Sequence, residues 1–407
     1  MRPRSTLDRR RFLASAGAAA SALALAGMSP ARAQPAPVQR WPDRPFFDFQ
    51  LRRLLGEAPM GGAEVDEVSA AVQAIGPSPS AEAWVREFAG LGRGLVRQAA
   101  EMTDPRRARA TSLRAANYLR SAEFFRPPLG AALEPKIAMY QEMRRLFALG
   151  TVDQRVEPVQ VPYENTWLDS YYVHPDETAA RTHPGVVFFG GLDSVGEELY
   201  LWAGRELARN GIGVLLVDGP GNGASLRLRG ILSRYDYEVA ASASVDYLER
   251  RPGVDPRRIG LIGISLGGYY AARSAAFEHR PRATVAWGAI WDQSEILTSP
   301  GDLETKLFLA QYGAWVHGGG DPAKALVNTR RFTMAPVAHL IRNPILVLHG
   351  ADDTLVPVEQ AHALYDAIRA PKTLHIVPSG HPGSAHCQAD HIPAAWEVMI
   401  PWLLDHL

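Results

Sequence analysis

The sequence predicts an α/β fold: a mostly parallel, doubly wound sheet with an all-helical N-terminal cap and a helical lid insertion. Three observations carry that expectation. After Gly150, short apolar runs that end in glycine, acid or polar turns alternate with helical stretches. A purely helical pattern precedes them. Between Trp291 and Leu340 the alternation lapses for longer than a plain strand-to-helix connection allows.

The first residues read as a leader. In LDRRRFLASAGAAASALALAGMSPARA, Arg9, Arg10 and Arg11 precede a mild Ala/Leu run, and Ala31 and Ala33 flank Arg32 as an A-x-A cleavage site. The apolar run falls short of the roughly 20 residues needed to span a bilayer. Arg9-Arg10 followed by Phe12-Leu13 resembles the twin-arginine export signal, although Asp8 and Ala14 stand where Ser or Thr and Lys are usual. The expectation is a cleaved signal over residues 1–33 and an exported, periplasmic protein without a stable membrane anchor. A general secretory signal or a retained anchor is the alternative.

Residues 34–150 read as the helical cap. Trp84, Phe88, Leu91 and Leu95 recur at three- and four-residue spacing and share one helix face. Ser80 stands where it can cap that helix, and Asp104-Pro105 opens the next. Residues 151–407 read as the catalytic domain. VEPVQVPY and SYYVHP predict two antiparallel strands. HPGVVFFGG, GIGVLLVDGPGNG, RRIGLIGIS, RATVAWGAI, NPILVLHGADD and TLHIVPSG predict strands buried on both faces, as a parallel sheet requires. Helices are expected over 197–210, 235–250, 268–278, 358–369 and 394–407, and the lid over about 291–340.

Charge narrows the partners. The chain balances 43 Lys and Arg against 43 Asp and Glu; its leader holds six arginines and one aspartate, so cleavage leaves a net of −5. That balance offers no footprint for nucleic acid. Cys387 is the only cysteine, so neither an intramolecular disulfide nor a cysteine-rich metal site can form. VDGPGNGAS lacks the G-K-[S/T] ending of a phosphate loop. No cofactor and no metal is expected; a small-molecule carbonyl substrate is, and a homo-oligomer is compatible with the sequence.

The chemistry centres on GISLGG. A G-x-S-x-G turn between a strand and a helix lets Ser265 stand in a tight, strained backbone, and the Leu266 amide at the helix N-terminus is a natural oxyanion donor. A serine hydroxyl needs a base and an orienting acid, in the order Ser, Asp, His. Asp353 in LVLHGADDTLVP fits the acid, with Asp352 bracing the turn and His349 bonding the loop. His386 and His381 both follow the last strand as candidate bases, and His386 leaves room for one closing helix. FFGGLDSVGEE supplies the second oxyanion donor from Gly191 or Leu192. Asp193 is unusual, because a carboxylate there repels developing negative charge unless it is protonated or turned toward another group. It reads either as a cap of the next helix or as a group that binds or protonates substrate.

Taken together, FFGGLDSVGEE, LLVDGPGNG, IGLIGISLGGYYAARSAA, LHGADDTLVP and HCQ before a final helix resemble the α/β-hydrolase fold. More narrowly, they are similar to the 2,6-dihydroxypseudooxynicotine hydrolase group, which includes fungal hydrolases that shorten polyketides. RAANYLRSAEFF, over residues 114–125, resembles that group's helical N-terminal domain. The resemblance implies Ser265 as nucleophile, Asp353 as acid and His386 as base, and it implies a role for Asp193, where the pseudooxynicotine enzyme carries a glutamate. The expected activity is cofactor-independent serine hydrolysis of a carboxylic ester or related acyl substrate. Carbon–carbon hydrolysis of a 1,3-diketone or aryl ketone is the alternative. From a different class, an inactive hydrolase fold serving as a periplasmic binding protein is also carried forward. A peptidase of the prolyl-oligopeptidase kind would need a propeller-sized segment, and the chain has none.

Overall fold

The computed structural model describes residues 40–176, 181–298 and 301–407. The leader expected over 1–33 lies outside them. Among the described residues, five α-helices come first: α1 (Pro45–Gly56), α2 (Val65–Ile75), α3 (Ala81–Glu101), α4 (Pro105–Phe124) and α5 (Leu133–Gly150). Their starts follow local chemistry. Ser80 accepts from the Ala83 amide at 3.1 Å, and Asp104 accepts from the Arg106 amide at 2.9 Å with Pro105 in the first turn. Trp84 and Phe88 of the predicted face are fully buried and pack ring against ring, tilted by 37° with centroids 4.7 Å apart.

Eight strands follow: β1 (Val156–Tyr163), β2 (Thr166–Val173), β3 (His183–Phe189), β4 (Gly213–Val217), β5 (Val254–Ile264), β6 (Ala283–Trp287), β7 (Ile345–Gly350) and β8 (Lys372–Val377). They form one sheet in the order β1-β2-β4-β3-β5-β6-β7-β8, antiparallel over β1-β2-β4 and parallel from there on. The remaining helices are α6 (Gly196–Leu199), α7 (Arg205–Arg209), α8 (Gly223–Arg229), α9 (Glu238–Glu249), α10 (Leu266–Phe277), α11 (Gln293–Thr298), α12 (Leu303–Gly318), α13 (Pro322–Thr329), α14 (Val358–Ala367) and α15 (Pro393–His406). Every residue of β4 and of β6 is buried, as expected of strands covered on both faces. This is the α/β-hydrolase fold. The described residues pack as one compact unit.

One element differs from the sequence expectation. The helix expected over 197–210 is α6 and α7 joined by a π-helical turn, Tyr200–Gly204. Periodicity cannot register one extra residue in a turn. That wider turn carries Trp202, whose indole N–H donates to Glu57 of the helical segment at 2.9 Å. In the lid, Leu303 and Leu307 face solvent, whereas Tyr312 and Trp315 are buried.

Parallel pairing lines up the carboxyl ends of β3, β5, β6 and β7, where a ligand of an open α/β sheet binds. The β5–α10 junction is crowded. A Cβ at Gly263 would stand 1.8 Å from the Gly267 carbonyl oxygen, and one at Gly267 would stand 2.5 Å from the Phe189 oxygen. Both obstacles are backbone atoms and cannot step aside. Gly263→Ala is therefore expected to destabilise the protein by about 2 kcal/mol or more, measured by denaturant unfolding; a midpoint within error of wild type would refute this account of the turn.

Candidate active site

Ser265 occupies the corner between β5 and α10. Its backbone has φ 59° and ψ −122°, a conformation costing about 1–3 kcal/mol for a residue with a side chain. The Ser265 amide donates to the Trp287 carbonyl at 2.7 Å, and the Ser265 carbonyl accepts from the Gly268 amide at 2.7 Å. These bonds hold the strained peptide on both sides and leave the side chain at the head of the sheet.

His386 Nε2 stands 2.9 Å from Ser265 Oγ, and His386 Nδ1 stands 2.6 Å from Asp353 Oδ2. Asp353 is fixed in turn. Its Oδ1 accepts from the Leu355 and Val356 amides at 2.9 and 2.7 Å, and its Oδ2 lies 3.2 Å from His349 Nε2. Burial alone would push the Asp353 carboxyl up, but His386 and His349 outweigh it and hold it well below the usual carboxylate range. Asp352 takes a different part. It accepts from the Ser379 and Ser384 hydroxyls and the Gly380 amide, tying the loop after β8 to the loop after β7.

His381 corrects one expectation. It is exposed, its Nδ1 lies 3.3 Å from the Ser379 carbonyl, and it does not line the cavity above Ser265, so no auxiliary position falls to it there. The intervening segment turns inward instead. Gly383, at a φ of 90°, and Ala385 donate to Asp390, and the stretch they hold leads to the buried His386.

The loop after β3 also sharpens the reading. The Gly191 amide donates to Ser194 Oγ at 2.9 Å, so Gly191 is already engaged and is set aside as an oxyanion donor. Asn222, from the loop after β4, donates to the Gly191 carbonyl. A trans peptide aims its N–H opposite to its C=O. Fixing that carbonyl therefore turns the Leu192 amide away from Asn222. Leu266 opens α10, so its amide has no acceptor within the helix.

Asp193 neither caps α6 nor stands unpaired. The α6 N-cap is Val195, and the Gly196 amide donates to Asp218 instead, at 2.7 Å. Asp193 Oδ2 lies 2.9 Å from Arg53 Nη1 of α1. The same guanidinium donates to both oxygens of Glu198 at 2.7 Å, and Arg120 of α4 bridges Glu198 and Glu57. Burial would lower the Arg53 pKa, but Asp193, Glu198 and Glu57 hold it above its ordinary value. Burial dominates at Glu57 and pushes its carboxyl up to about 7 despite Arg120.

A cavity of about 380 Å³ lies above Ser265 and His386. Its walls are mainly apolar, from Phe46 and Phe49 of α1, Leu199, Trp202, Ile290 and Phe308. Sequence reasoning missed Arg53, Glu198, Asn222, Gln293 and His317, which line the cavity or brace its loops. Arg53 sits in QLRRLLG, which reads as a solvated basic pair until α1 docks on the sheet. Burial pushes the His317 imidazole down to about 4, so it is neutral at physiological pH.

Glu57 gives a pH test. Its pKa is higher folded than unfolded, so the native state holds the proton longer. Its contribution is fully present below about pH 4.5 and is lost as the pH rises through about 7. Glu197, raised to about 7 by burial and by Asp218, acts in the same direction. The thermal midpoint of Glu57→Gln is expected to decline less than wild type across that window; equal slopes would count against a buried, protonatable Glu57.

Comparisons with known proteins give the family and the fold. The family model of the FrsA-like esterases matches residues 77–308. The hydrolase acrC of Aspergillus aculeatus is 34% identical over 279 residues, covering 62% of this chain and 64% of the relative, so the match spans less than two thirds of that protein. The hydrolase LUC6 of a Fusarium species is 30% identical over 367 residues, covering 80% of this chain and 87% of the relative. The crystal structure of 2,6-dihydroxy-pseudo-oxynicotine hydrolase superposes with a TM-score of 0.69 over 87% of this chain and 95% of that one, at 24% identity, a likeness of fold. On these matches the chain belongs to the FrsA-like esterase family, built on the α/β-hydrolase fold.

Proposed function

We propose that this protein is a serine hydrolase that cleaves a carboxylic ester or related acyl substrate through an acyl-enzyme. The observation that carries this reading is the relay in which His386 Nε2 stands 2.9 Å from Ser265 Oγ while His386 Nδ1 stands 2.6 Å from Asp353 Oδ2. In the proposed reaction His386 takes the Ser265 proton as Oγ bonds to the substrate carbonyl carbon. The oxyanion forms beside the Leu266 and Leu192 amides; a positioned donor is worth about 2.7–4 kcal/mol in such sites. His386 then gives the proton to the leaving oxygen, and the carbon–oxygen bond breaks. Water, deprotonated by His386, attacks the acyl-enzyme; the proton returns to Ser265 and the acid departs. Asp353 holds the imidazole in the tautomer that keeps Nε2 free to accept.

Ser265→Ala is expected to abolish fluorophosphonate labelling and to lower ester turnover by about 1,000-fold or more. Equal labelling of the variant would remove Ser265 as nucleophile. His386→Ala should approach the same loss while His381→Ala stays near wild type; the reverse ranking would overturn the choice of base.

Asp193 favours a second reading, carbon–carbon hydrolysis of a 1,3-diketone. Its ion pair with Arg53 places an oriented carboxylate on the cavity wall. Cleavage there leaves a carbanion that must be held as an enolate and protonated, a demand an ester does not make. Parallel assays of p-nitrophenyl esters and aryl 1,3-diketones separate the two. If ester cleavage is the activity, Asp193→Asn keeps p-nitrophenyl ester turnover within about tenfold and the wild type does not cleave the diketones. Diketone turnover that Asp193→Asn selectively removes would transfer the conclusion to the carbon–carbon reading.

A further inference from the structure

The exposed part of the described cavity lining falls on one side. Among the described residues that line the cavity, the exposed ones are Lys306 and Ala310 of α12 and Pro322 and Leu326 of α13. The α1 and sheet-side walls are closed by buried or half-buried residues. Gly313 lies between these points, in the interior of α12 and on the cavity wall. Glycine weakens a helix interior, so its presence there asks for a reason. Backbone conformation is not the reason, since Gly313 is absent from the positive-φ residues. Crowding is not the reason either: a Cβ at this position would meet nothing within 4 Å. What the missing side chain leaves is space on the cavity wall.

Polarity is divided across the same space. At the buried side stand Gln293 and His317, whose Oε1 and Nδ1 have no hydrogen-bond partner among the described residues. At the open side, apart from the exposed Lys306, the walls are carbon: Leu309, Ala310, Pro322 and Leu326. Carbon walls at a mouth favour an apolar part of a ligand, because burying it removes surface from water without stranding a polar group.

We infer that the open end of the cavity is an apolar slot over Gly313 that takes an extended alkyl or acyl substituent of the substrate. The substrate class is thus a carbonyl compound with a long apolar arm, whose reacting end lies at Ser265 and whose arm runs outward between α12 and α13. The inference rests on the hydrolytic reading for the identity of the reacting end, and the slot itself can be tested without turnover.

The test compares wild type with Gly313→Leu, which fills the slot, and with Gly313→Ala. Binding of unreactive methyl alkyl ketones with four and ten carbons is followed by calorimetry in the Ser265→Ala background. Turnover of p-nitrophenyl acetate and decanoate is followed in the otherwise native enzyme. Wild type should favour the long member of each pair. Gly313→Leu should lose that preference by about tenfold or more while keeping the short members and the fluorophosphonate label. Gly313→Ala should keep the preference and raise the thermal midpoint. Ala310→Leu, at an exposed position, repeats the occlusion should Gly313→Leu misfold. An unchanged chain-length preference in both leucine variants overturns the slot even if ester turnover is robust. Length-selective ketone binding that Gly313→Leu removes, with no Ser265-dependent turnover, upholds the slot and rejects the hydrolytic reading.

Discussion

A buried cluster of charge joins the two parts of this molecule. Arg53 of α1 spans Asp193 and Glu198, and Arg120 of α4 spans Glu198 and Glu57. Taking such groups out of water costs several kcal/mol per ion, which mutual attraction offsets only in good geometry. The cluster is therefore weak evidence of added stability. Its effect is on position: a carboxylate left without its guanidinium would be an uncompensated buried charge, so α1 has one energetically acceptable seat. That seat sets Phe46 and Phe49 over the cavity and fixes the direction of Asp193 beside the loop after β3.

The second constraint is steric. Ser265 holds a positive φ because β5, α10 and the end of β3 converge on it. Gly263 and Gly267 permit the approach, and Phe189 and Gly190 carbonyls press from the neighbouring strand. The same convergence brings the β3 loop to the serine, so the Leu192 and Leu266 amides come from elements that cannot move independently. Strain at Ser265 and the placement of these two amides are one packing event.

Much of this was legible in the sequence because it is written in local chemistry. Ser80 and Asp104 cap the helices they precede, and strand runs that end in glycine or acid mark the head of the sheet. GISLGG marks the corner, since the glycines there answer crowding that any such turn creates. What was not legible depends on contacts between distant segments. Nothing in QLRRLLG separates Arg53, which is buried, from Arg52. Asn222 looks like turn chemistry until its amide meets the Gly191 carbonyl. His381 and His386 both follow a strand, and only the turn between them, through the positive-φ Gly383, leaves one buried and the other in solvent.

The placement of α1 bears on how this architecture can be inherited. A helix that precedes the first strand by about a hundred residues supplies one wall of the chamber in which Ser265 stands. Recombination at the junction after α5 would bring in a foreign wall and a foreign set of guanidinium groups, leaving Glu198 mismatched. New specificity is more accessible by point changes along α1 and α12, which reshape the chamber from above while the corner beneath keeps its form.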